Sequence, residues 1–141
     1  MLDGKRAYQK SDLTQMQNNV AVAEKRTEEF LSYFENRTSQ ARRELADIDP
    51  AAAADFASGI NKTFPKMKEL YLQETQYLRE IDALLAFIRE QSGPFEVTST
   101  SGIRFRNAGD SAEYDRRIAS INKLAASINA MKVKSQGDAG K

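Results

Sequence analysis

The stretch SDLTQMQNNVAVAEKRTEEFLSYF, from Ser11 to Phe34, decides the fold. Apolar or small residues stand at Leu13, Met16, Val20, Ala23, Thr27, Phe30 and Phe34, in steps that alternate three and four. Such spacing holds one stripe on one side of an α-helix, whereas a strand would turn every second residue to the opposite face. Ser11 is placed as the N-cap, and Asp12 puts a negative charge where the helix dipole favours it. Arg37 and Thr38 interrupt the stripe, which resumes at Ala41, Leu45 and Ile48. The helix is therefore expected to reach about Asp47, a length of roughly 55 Å. A helix of that length with one apolar stripe needs a second helix to cover it.

Asp47-Ile48-Asp49-Pro50 supplies a break and a restart, with Asp49 as the cap and Pro50 as the first helical residue. A short alanine-rich helix is expected through Ala57, ended by Gly59, and a second long helix from about Thr63-Phe64-Pro65. The second long helix carries Met67, Leu70, Glu74, Tyr77, Ile81, Leu84 and Ile88 on one seam, widened by Tyr71, Leu78 and Leu85. Ser92-Gly93-Pro94 stops it.

The period then changes from helical to two. Phe95-Glu96-Val97-Thr98 and Ile103-Arg104-Phe105-Arg106 alternate apolar and polar around the turn-prone Ser99-Thr100-Ser101-Gly102, which predicts a β-hairpin. Phe95, Val97, Ile103 and Phe105 fall on one face, with Arg104 and Arg106 on the other. A lone two-stranded hairpin is marginal in water, so its apolar face should dock on the helices. Asp110-Ser111-Ala112-Glu113 has capping-box spacing and opens a last helix bearing Tyr114, Ile118, Ile121, Ala125 and Ile128, flanked by Leu124 and Met131. The predicted class is mainly all-α: an antiparallel bundle of three long helices plus one short helix, with a small hairpin at about 95–106. A single domain is expected over 11–134, with a flexible arm at 1–10 and a disordered tail at 135–141.

Composition limits the chemistry. No histidine or cysteine is present, which excludes thiolate nucleophiles, disulfides, imidazole-based zinc sites and the Glu-x-x-His iron sites of some helical bundles. No cofactor or metal is expected, and no enzymatic activity. Lys+Arg 21 against Asp+Glu 20 leaves no basic excess for a nucleic acid partner. The longest apolar run, Ala83 to Ile88, is far short of the roughly 20 residues that cross a bilayer, so a soluble chain is expected.

Three sets of residues are candidate sites. Arg104, Arg106, Arg116 and Arg117 form a local basic cluster suited to a phosphate, a carboxylate-bearing polymer or an acidic protein. Its plain alternative is a solvated face paired with Asp110, Glu113 and Asp115. Phe30 and Phe34 mark an alternative seam for a partner helix or a second copy of the chain; otherwise they are ordinary core. Glu74 stands where the seam expects an apolar residue, as a buried acid, an edge position or the partner of a tyrosine hydroxyl such as Tyr71, Tyr77 or Tyr114. The acceptor patterns at Asn36 and Asn61 carry no weight.

Leu85-Ala86-Phe87-Ile88, Gly93, Val97, Gly102-Ile103-Arg104-Phe105 and Glu113-Tyr114-Asp115 followed by Ile118 resemble the C-terminal part of a family of bacterial helical lipoproteins of unknown function. That family places a Val…Gly-Ile-x-Phe hairpin between a helix and a Glu-Tyr-Asn/Asp that opens the last helix. The resemblance spans residues 85–118 and implies an exported protein of the periplasm or cell envelope. The chain departs from the family in carrying no export signal and no cysteine, so a lipid anchor would sit upstream of residue 1 and be its only link to a membrane. The expected function is a non-enzymatic interaction or structural module with a protein partner. The alternative is a cytoplasmic coiled-coil-like adaptor or chaperone that binds a partner helix through the first-helix seam.

Overall fold

The structure, a computed structural model, describes residues 10–98 and 102–139. The elements are α1 (Lys10–Ile48), α2 (Pro50–Ala86), a π-helical turn (Phe87–Gln91), β1 (Phe95–Thr98), β2 (Gly102–Phe105) and α3 (Ala108–Ala139). The chain is mainly helical with one antiparallel hairpin, as the periodicities predict. The expected arm lies outside the described residues over 1–9, as do the turn residues Ser99–Ser101 and the tail residues 140–141.

α1 and α2 are joined through one extended residue. Asp49 (φ −147°, ψ 96°) accepts from the Ala51 and Ala52 N–H groups at 3.1 and 3.2 Å, and Pro50 begins α2. The cap is where the sequence placed it. At the other end of α1 the helix is already formed at Lys10, so Ser11 lies within it rather than capping it.

The short alanine helix does not exist as a separate element: α2 runs unbroken through Gly59 and Pro65. A proline inside a helix forfeits one hydrogen bond and costs roughly 3 kcal/mol, and glycine costs about 1 kcal/mol, so local propensity argues for a break. Packing against α1 overrides it. Phe64, next to Pro65, stacks on Phe34 with ring centroids 5.5 Å apart and planes within 7°. Phe30 meets Tyr71 at 5.0 Å. Thr63 donates its hydroxyl to the Gly59 carbonyl at 3.0 Å, one turn back along the same helix. Along the same contact Arg79 bonds Glu24 at 2.6 Å, and Lys68 pairs with Glu35 at 3.5 Å.

α2 is the central helix, packed on α1 and on α3. The core lies at the end where the start of α1, the end of α2, the hairpin and the first half of α3 meet. Leu13, Leu84, Leu85, Phe87, Ile88, Ile103, Phe105 and Ile121 form it, with Met16, Val20, Tyr77, Ile81, Phe95, Tyr114 and Ile118 around them.

In the hairpin Phe95 pairs with Phe105, Glu96 with Arg104, Val97 with Ile103 and Thr98 with Gly102. Arg106 falls just outside the ladder, its N–H donating to the Pro94 carbonyl at 3.1 Å. Gly102 has φ +89°, a left-handed conformation that glycine adopts without the Cβ penalty of other residues. Ile103 and Phe105 are buried and Arg104 is exposed, as alternation requires. The docked face of the hairpin is therefore the one its sequence predicts.

The opening of α3 corrects the expected capping box. The helix starts at Ala108, and Asn107 is its cap, accepting from the Gly109 N–H at 2.7 Å. Asp110 instead accepts from the Gly93 N–H at 2.9 Å and so ties the start of α3 to the exit of the π-helical turn. α3 also continues through Ala139, where the sequence reading expected a tail from Ser135.

Candidate functional site

The four candidate arginines stand on two elements with a carboxylate each. On the outer face of the hairpin, Arg104 lies across the ladder from Glu96, and Arg106 Nη2 is 3.6 Å from Glu96 Oε1. On α3, Glu113 takes Arg116 at 2.6 and 2.9 Å through two nitrogens, and Arg117 Nε lies 2.9 Å away. The Arg117 N–H is not aimed at the carboxylate, so this second contact is a charge contact rather than a hydrogen bond.

Arg117 is structural. Its guanidinium lies 5.5 Å from the centre of the Phe87 ring, and the side chain is mostly covered. It closes the aromatic core from the α3 side by a cation–π contact. Arg104, Arg106 and Arg116 remain exposed. The hairpin is fixed from below by Phe105, whose ring lies 5.8 Å from Phe87, 5.7 Å from Phe95 and 5.4 Å from Tyr114. Two of these outward arginines are thus mounted on a docked element, a placement in which a charged face can recognise an anionic surface.

The hydrogen bonds from Arg116 hold the Glu113 carboxyl below the ordinary glutamate value, aided by the nearby charges of Arg116 and Arg117. Glu113 in turn raises Arg116. A carboxylate depressed in the folded state contributes stability that is present above the unfolded pKa and lost as pH falls through the folded one. The Glu113 carboxyl resonance is expected to titrate below 4.5 in the native protein and to move up toward 4.5 in Arg116→Ala. A carbon-detected NMR titration checks this; a midpoint indifferent to Arg116 would sink the pairing.

The Glu74 carboxylate is paired with a lysine. Lys132 of α3 reaches it at 2.8 Å, and that hydrogen bond holds the lysine above its ordinary value. The two line a groove of about 400 Å³ among the three helices with Thr27, Tyr77, Leu78 and Ile128. Among the described residues they are its only charged groups, paired with each other, so the groove offers a clamp between α2 and α3 rather than a free acid or base. Sequence spacing gives no signal for this pair, because Glu74 and Lys132 sit on different helices.

Phe30 and Phe34 are occupied by α2 through Tyr71 and Phe64, although Phe30 keeps 41% exposure. A partner helix using that seam would have to displace α2. Among the described residues, no three acidic side chains are grouped to hold a metal ion, and no helix is long and apolar enough to cross a membrane. No family model, curated protein or solved structure matches the chain.

Proposed function

We infer that the protein is a non-enzymatic interaction or structural module of the bacterial cell envelope, the part of a lipoprotein that recognises a protein partner. The observation that carries the recognition half is the hairpin: Ile103 and Phe105 are sunk in the core while Arg104 and Arg106 face outward from the same strand and its exit. The envelope half is supported by the resemblance of residues 85–118, the segment that builds this docked hairpin. The adaptor reading is weaker, since its seam residues Phe30 and Phe34 already pack on α2.

The partner that suits this face is an acidic protein surface. Joint replacement Arg104→Glu and Arg106→Glu should leave the melting temperature within a few degrees, because exposed changes usually move stability by about 0.5 kcal/mol or less. The same change should abolish recovery of any protein that the native chain captures from a lysate of its own cells, and raised salt should mimic it. Recovery untouched by the double change but lost in Phe30→Ala would hand the function to the first-helix seam. Fractionation of cells expressing the whole gene product tests the location separately, and exclusive recovery in the cytosol would refute it.

A further inference from the structure

Three of the four arginines in the basic cluster already have a partner. Arg117 lies on the Phe87 ring beside Glu113, and Arg116 gives two hydrogen bonds to the Glu113 carboxylate. On the outer face of the hairpin the Glu96 carboxylate goes to Arg106 at 3.6 Å. Arg104 has no ion pair or side-chain hydrogen bond among the described residues, although Glu96 is its neighbour across the ladder.

The ladder accounts for this division. The Arg106 N–H donates to the Pro94 carbonyl, and hydrogen-bonded pairs alternate along an antiparallel ladder, so Glu96 and Arg104 form a bonded pair. Such a pair holds its Cα atoms about 5.5 Å apart, against about 4.5 Å in an unbonded pair, and does not press its side chains together. Diagonal positions stay within reach of long side chains, and Arg106 stands on that diagonal from Glu96.

Arg104 is also firmly mounted. Ile103 and Phe105 on either side of it are 8% and 6% exposed, so its backbone is anchored twice and its own side chain projects away from the core. A guanidinium on fixed backbone gives up only its side-chain freedom when it takes a carboxylate, and it can do so through two parallel N–H bonds. Arg106 must first release Glu96.

We propose that Arg104 is the residue that determines recognition on this face, taking an Asp or Glu carboxylate of the partner through both branches of its guanidinium, and that Glu96 restrains the face by occupying Arg106. The inference rests on the hairpin being the recognition face and goes further in ranking its residues.

Fluorescence anisotropy of a labelled polyglutamate peptide, titrated with the whole chain at low salt, tests it. Arg104→Ala should weaken binding about tenfold or more, and Arg106→Ala only about threefold. Arg104→Lys keeps the charge without the fork and should lose about fivefold. Glu96→Gln should tighten binding about threefold by releasing Arg106. Circular dichroism of each variant should keep the native helical signal, because all three positions are exposed. Equal losses at Arg104 and Arg106, full rescue by the lysine, or an affinity indifferent to Glu96 would overturn the inference and leave the hairpin face standing. Binding that survives joint Arg104→Glu and Arg106→Glu, or no binding by the native chain, overturns the reading beneath it as well.

Discussion

Phe105→Ala is expected to cost about 4 kcal/mol and to lower the melting temperature by roughly 10–15 °C. Phe105 is buried, and its ring meets Phe87, Phe95 and Tyr114. These three come from the π-helical turn, the paired strand and α3, so one truncation opens a cavity among three elements. None of them can refill it without moving the others, which is why a value toward the upper part of the range for buried aromatics is expected. Chemical denaturation of native and variant protein measures the cost directly. A difference under about 1 kcal/mol would mean that the hairpin does not dock on the helices, and the outward placement of Arg104 and Arg106 would lose its basis.

Leu13→Ala should cost about 3 kcal/mol, although Leu13 lies only one turn into α1. Helix ends usually fray, and a truncation in a frayed turn costs little. Leu13 is 2% exposed and belongs to the same cluster as Leu84, Leu85, Phe87 and Ile88. The start of α1 is thus held by tertiary contacts. Amide exchange over residues 13–24 should accelerate in the variant more than exchange in the hairpin does. A loss below about 0.5 kcal/mol would show that the core is closed without α1.

The elements whose boundaries depend on near neighbours were legible. Asp49-Pro50 announces a cap and a first helical residue, and the structure uses both. Alternation in 95–98 and 103–105 predicts which side chains are buried, and Ile103 and Phe105 are. The basic cluster was legible only as composition. Helix spacing brings Arg116 and Arg117 to Glu113 at i,i+3 and i,i+4, but that Arg117 turns onto Phe87 depends on a ring from another element. Asp110 shows the same limit. Its spacing to Glu113 reads as a capping box, yet its carboxylate goes to Gly93, which is seventeen residues away in sequence and adjacent only in the fold.

By itself the sequence determined the helical class, the turn at Asp49, the faces of the hairpin and the absence of imidazole and thiol chemistry. All of these follow from side-chain periodicity, cap chemistry and inventory, which act within a few residues. Only the tertiary structure decided that α2 passes through Gly59 and Pro65 unbroken and that Glu74 is clamped by Lys132. Those outcomes rest on contacts between residues far apart in the chain, where packing of Phe34 on Phe64 and of α3 on α2 outweighs local preferences of a few kcal/mol.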